Sequence, residues 1–150
     1  MWRVFPVVWE KDALDLTFAR TQSASLRRWI RGCGSIVLFA VTAGVEMDRL
    51  IRRAQAVSPL HGMLMHAIGA ERVEAGCDRL CETLAGEMPD RVFVPRFSPG
   101  YGDLPMDMQR DVFLALDCQR LLGLTLTEEM LMVPGKSVTA IVGMKGSERP

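Results

Sequence analysis

Residues 35–41 read Ser-Ile-Val-Leu-Phe-Ala-Val, a run of β-branched, aliphatic and aromatic side chains with Gly34 before it and Gly44 shortly after. The run is too short for a core helix and has no polar alternation, so it predicts a strand covered on both faces. Upstream, Thr21 and Ser23 precede Leu26, Trp29 and Ile30 at helical spacing, and Gly32 follows them, which predicts a short amphipathic helix with a cap at each end. The segment 2–9 carries Val, Phe and Trp interrupted by Pro6, and suits a strand at a sheet edge. Downstream, Met47, Leu50, Ile51 and Ala54 repeat at helix spacing while Asp48, Arg49, Arg52 and Arg53 fill the wet face.

Ser58-Pro59 is a strong helix start, because the serine oxygen accepts from the first turn and proline at the first position gives up no needed donor. The helix is expected to run to about Leu84 and stop at Gly86. Gly62, Gly69 and Gly76 recur on it at a seven-residue interval, which suggests close approach by another backbone, with chance spacing as the alternative. The remainder reads as a strand over 91–97, a turn-rich loop over 98–103, a helix opened by Pro105 and carried by Met108, Val112, Leu116 and Leu121 to Gly123, and a hairpin of 130–133 with 137–142 about Pro134-Gly135-Lys136. The expected architecture is α+β, helices packed on a mostly antiparallel twisted sheet. One domain over 1–150 is expected, with its core at about 3–143 and a frayed C-terminal tail.

With 150 residues, 49% hydrophobic and 24% charged, the chain has material for a real core. Eighteen basic residues balance eighteen acidic ones, which leaves no electrostatic footprint for a phosphate backbone and argues against a nucleic-acid partner. The longest apolar stretch, 36–45, falls far short of the roughly 20 residues of a membrane span, and no basic segment leads an apolar run at the N-terminus. No membrane association and a cytoplasmic location are expected. Cys33, Cys77, Cys81 and Cys118 lie in apolar periodic segments and read as buried thiols in a reducing compartment. Cys77 and Cys81 are one turn apart, but no further pair completes a zinc set. His61 and His66 sit about 140° apart around their helix and cannot share a metal. No nucleophile elbow, phosphate loop or dinucleotide fingerprint occurs, so neither a catalytic residue nor a metal ligand is expected.

Two constellations remain. Arg96 ends an apolar strand ahead of Pro99-Gly100-Tyr101-Gly102, where glycines let backbone and an aromatic ring approach a carboxylate or phosphate held by the guanidinium. The bland alternative is an arginine paired with a surface acid beside an ordinary turn. Glu74 shares a helical stripe with Ala67, Ala70, Cys77 and Cys81 and is expected to be buried, so it either pairs with an arginine or faces a cleft. Glu71 and Asp78, with Arg72 and Arg79, read as solvated charges.

RFSPGYGDLP at 96–105, Gln109, and LTEEMLMVPGKSVTAIVG at 126–143 closely resemble the activation (reactivation) domain of cobalamin-dependent methionine synthase, and most of all its small stand-alone relatives. LFAVTAGVEMD at 38–48 and the Glu74 helix agree, so the resemblance spans about 3–143. It implies a module that binds S-adenosylmethionine and offers its methyl group to a cobalamin carried by a partner methyltransferase, with an electron from a flavodoxin-type donor, and so serves methionine biosynthesis by repair. By the same resemblance Arg96 clamps the ligand carboxylate, Glu74 attracts its cationic part, Ser98 and Tyr101 read adenine through their backbone, Gly100 admits the ligand, the Tyr101 ring borders the methyl side, and Asp90 matches a further acidic position. The resemblance implies that an acidic contact in the N-terminal segment of the longer family version, and its C-terminal extension, are expected to have no counterpart within 1–150. Loss of one such contact costs about 1–3 kcal/mol, so ligand binding is expected to be weak or completed by a partner. The rival expectations are a docking or chaperone module that has lost its ligand, and a methyltransferase acting on another nucleophile.

Overall fold

The computed structural model describes residues 1–146. In chain order the elements are β1 (Trp2–Pro6), β2 (Val8–Trp9), β3 (Leu14–Asp15), β4 (Arg20–Thr21), α1 (Ala24–Trp29), β5 (Ser35–Thr42), α2 (Val45–Val57), α3 (Pro59–Glu87), β6 (Arg91–Phe93), α4 (Met108–Leu116), α5 (Cys118–Leu122), β7 (Thr125–Leu126), β8 (Met132–Val133) and β9 (Ser137–Gly146). The main sheet has the order β1-β5-β9-β6 with every neighbour antiparallel, so the α+β expectation holds. Small sheets β2-β3-β4 and β7-β8 flank it.

β5 explains its own composition. Ile36, Leu38 and Ala40 point into a core shared with Leu26 and Ile30 near α1 and with Met108, Val112 and Leu116 of α4, whereas Val37 and Phe39 point into a second core with Cys77 and Leu84 of α3. Successive side chains on a strand face opposite ways, so a strand covered on both faces must be apolar throughout. β9 follows the same logic, with Ile141 on one side and Ala140 and Val142 on the other.

Caps form where the sequence places them. Ser23 Oγ accepts from the Leu26 N–H and Ser58 Oγ from the His61 N–H. Pro6 stands in β1, an edge strand, where its missing N–H leaves no ladder bond unmade. Of the three spaced glycines, Gly62 faces backbone, since a Cβ there would lie 3.2 Å from Gln55 Cα of α2. Gly69 faces the side chains of Met47 and Lys136, and Gly76 that of Val41.

Four expectations are corrected. The helix expected from Pro105 to Gly123 breaks at Asp117, which takes the left-handed conformation (φ 53°) and turns the axis between α4 and α5. The hairpin of 130–133 with 137–142 does not form. The Gly135 N–H donates to Asp48 Oδ2 at 2.8 Å and the Lys136 carbonyl accepts from Ala43 N, which draws the connection onto α2 and away from a two-strand ladder. β8 pairs with β7 instead, and β9, apolar on both faces, takes the centre of the sheet beside β5. The core does not end at 143, because β9 continues to Gly146; the remaining expected tail lies outside the described residues.

The fourth correction positions the site. The strand expected over 91–97 stops at Phe93, yet its backbone stays tied to β9: Val94 N donates to Gly143 O, and Phe97 exchanges hydrogen bonds with Ile141 in both directions. Between those anchors this chain advances from 94 to 97 while β9 moves from 143 to 141. Pro95 and Arg96 therefore carry one extra residue out of the ladder, a bulge that re-aims the side chain at 96.

Candidate functional site

From that bulge Arg96 reaches across the edge of α3. Its Nη2 lies 2.8 Å from Asp78 Oδ1 and 3.2 Å from Glu74 Oε2, two acids one helical turn apart. The sequence-based burial of Glu74 is thus wrong: its side chain is 54% exposed, because the stripe it shares with Cys77 lies at the boundary of the packed face. Asp78, read as a solvated charge, is instead an ion-pair partner of the arginine. Arg96 is 28% exposed; its Nη1 is buried with no close hydrogen-bond partner among the described residues, and the guanidinium there meets the Cys77 thiol, a weak acceptor.

Beneath the guanidinium lie the two thiols of α3. Burial pushes Cys77 up to about 11 and raises Cys81, outweighing the opposing pull of Arg96, so both stay protonated near neutrality. Among the described residues no group of three or more His, Cys, Asp or Glu side chains is placed to hold a metal ion.

The loop after Arg96 is held from both ends. Phe97 packs edge-on against Tyr101 (centroids 5.9 Å apart) and at a tilt against Trp29, whose Nε1 donates to Pro95 O at 2.7 Å. Gly100 (φ +89°) and Gly102 (φ +56°) take conformations L side chains rarely adopt, and a Cβ on Gly102 would sit 2.5 Å from Ser25 Oγ. Asp103 accepts from Ser23 Oγ, Ala24 N and Ser25 N, binding the loop to the start of α1. Those bonds, led by Ser23, hold its carboxyl well below the usual carboxylate range. A depressed folded-state value means the staple acts fully above the unfolded value of about 4 and is lost as pH falls through the folded one. Thermal midpoints of wild type and Asp103→Asn should therefore differ more at about pH 6 than at about pH 3, and an unchanged gap would contradict the staple.

Glu74, Ser98, Tyr101, Gln109, Ser137 and Thr139 supply the polar lining of a cleft of about 450 Å³ whose apolar wall includes Pro99, Met106 and Met130. That is a volume suited to a ligand of cofactor size. Arg96 lines a neighbouring cavity of about 400 Å³ with Asp78 and Cys81, so the Arg96–Glu74 contact stands between the two spaces. The structure places Glu74, Ser98 and Tyr101 in one cleft, with Gly100 at the turn between the two loop residues, and Arg96 in the neighbouring cavity, where its pairing with Glu74 and Asp78 matches the alternative of an arginine held by surface acids. Asp90, just before β6, lines neither cavity. The loop backbone expected to read a ligand is largely engaged in closing the loop, as Gly100 N donates to Leu104 O and Tyr101 N to Ser98 O. Not singled out from the sequence were Thr139 and Ser137, which lie on a strand read only as half of a hairpin, and Gln109, noted only as part of a motif.

No family model matches the sequence, and no curated protein does. A crystal structure of the MetH reactivation domain bound to AdoHcy matches with a TM-score of 0.72 at 20% identity, over 99% of this chain and 58% of that one. The chain has the fold of that domain and spans a little over half the length of that structure. Among the described residues no helix is long and apolar enough to cross a membrane.

Proposed function

We propose that the chain is an S-adenosylmethionine-binding reactivation module that serves the cobalamin of a separate methyltransferase. The observation that carries this reading is the juxtaposition of Arg96 and Glu74, 3.2 Å apart at the end of a cofactor-sized cleft, in a fold shared with a domain solved with AdoHcy. The ligand's tail is a zwitterion, and the donor set fits it. Glu74, half-exposed at the cleft, offers an anion to the ammonium, and Arg96 offers the carboxylate the Nη2 hydrogen that Glu74 releases. On binding, the Arg96–Glu74 pair exchanges for these two contacts while Asp78 keeps its hold on Arg96.

The bound sulfonium supplies the methyl group, and the chain's part is to hold it still and in line for a nucleophile on the partner. Acid or base catalysis is not asked of any residue. Tyr101, Met106 and Leu131, exposed apolar side chains at the cleft, suit a surface that a partner covers. Titration calorimetry of S-adenosylmethionine into the chain, alone and with a corrinoid protein, tests the reading. Saturable heat is expected, and with a reductant the partner's cob(II)alamin should convert to methylcobalamin.

A second reading, a docking module without a ligand, draws support from Arg96 Nη2 already being satisfied within the chain. It predicts partner association with no heat from S-adenosylmethionine, and no effect of Arg96→Ala on that association.

A further inference from the structure

Hydrogen-bond accounting inside the cleft singles out one side chain. Ser98 Oγ donates to Thr139 O at 2.8 Å. Ser137 Oγ lies within bonding distance of Thr42 Oγ1 and Pro134 O, and Thr139 Oγ1 of Gln109 Oε1. A hydroxyl has one hydrogen to give, so all three are engaged within the protein, and an ionised Glu74 only accepts. Tyr101 is 59% exposed and belongs to the rim. Gln109, at 3% exposure, is different: its Nε2 carries two hydrogens, and among the described residues only one has a partner, Thr139 Oγ1 at 2.8 Å. The Thr139 hydroxyl sits between the two ends of the carboxamide and can engage only one of its N–H groups, which leaves the other N–H as the remaining donor among the buried side chains lining the cleft.

From this we infer that Gln109 is a specificity-determining ligand contact that donates its second amide hydrogen to an acceptor on the nucleoside half of the bound molecule. The inference rests on the reading of the cleft as an S-adenosylmethionine site. An uncharged donor is matched to the uncharged heterocycle or ribose, whereas the charged tail is served by Glu74 and Arg96. Pro99, Met106 and Met130 supply apolar surface for a base in the same cleft. The engaged N–H groups of Gly100 and Tyr101 leave this task to a side chain. A buried donor that pairs only with the correct ligand also discriminates strongly, because a ligand lacking the acceptor leaves it unsatisfied.

The test is calorimetry on the full chain with two ligands, S-adenosylmethionine and 5′-methylthioadenosine, the second keeping the nucleoside and lacking the amino-acid tail. Gln109→Met should weaken both by about tenfold, whereas Glu74→Gln should weaken S-adenosylmethionine alone. If Gln109→Met does not fold, Gln109→Glu gives the same comparison, since it keeps an oxygen for the Thr139 hydroxyl and loses the N–H. Unchanged affinity in a folded Gln109 variant overturns the inference while leaving the function intact, as does wild type that binds S-adenosylmethionine but not methylthioadenosine. Wild type that binds neither overturns the function itself.

Discussion

Arg96→Leu is expected to lower affinity for S-adenosylmethionine by about tenfold while leaving the fold almost as stable as before. The binding loss follows from removing a guanidinium that makes a charge-assisted bond to a carboxylate, worth about 1.5–3 kcal/mol, discounted here because the guanidinium is 28% exposed. Stability should move little because the change has opposing parts. It leaves Glu74 and Asp78 as unpaired like charges at i, i+4, a cost of a few tenths of a kcal/mol, and it removes a buried Nη1 whose nearest polar neighbour is a weakly accepting thiol. Arg96→Lys should fall between, since an ammonium restores the charge without the fork. Calorimetric affinity and the thermal midpoint, measured on the same samples, separate the two effects. A large drop in midpoint with unchanged affinity would assign Arg96 to the fold and remove it from the site.

Phe39→Ala is the largest stability effect expected, about 3–5 kcal/mol. Phe39 is fully buried between β5 and α3 in the smaller of the two cores, with Val37, Cys77, Leu84, Ala140 and Val142 around it. Trp2, Leu80, Met88 and Phe93 pack against that core from partly buried positions. Urea unfolding should show a lower midpoint with an unchanged slope, and a loss below about 1.5 kcal/mol would mean that α3 is held chiefly elsewhere. Since α3 carries Glu74 and Asp78, ligand affinity measured in the variant should fall as well.

Local chemistry made much of this legible. The apolar run of β5, the serine caps at Ser23 and Ser58 and the edge proline at Pro6 each follow from a constraint acting within a few residues. The ion pair of Arg96 with Glu74 matches the plainer alternative weighed for each residue separately, since a cation at a strand end and an acid on a mostly apolar helix stripe each need a partner. The errors came from geometry that no short window encodes. The bulge at Pro95 and Arg96 depends on where two anchors on β9 fall, and Asp103 finds Ser23 across most of the chain. The hairpin about Pro134 was a sound local reading defeated by Asp48, a competitor for the Gly135 N–H on a distant helix. Glu74 was placed on the right stripe with the wrong exposure, because periodicity gives a direction around a helix and not where the packed face ends.

A crystal of this chain grown with saturating S-adenosylhomocysteine tests the account most directly. Density is expected in the cleft lined by Ser98 and Gln109, with the amino-acid tail at Glu74 and Arg96 and the Arg96–Glu74 contact opened. An empty cleft, or the ligand seated elsewhere with that ion pair intact, would contradict it.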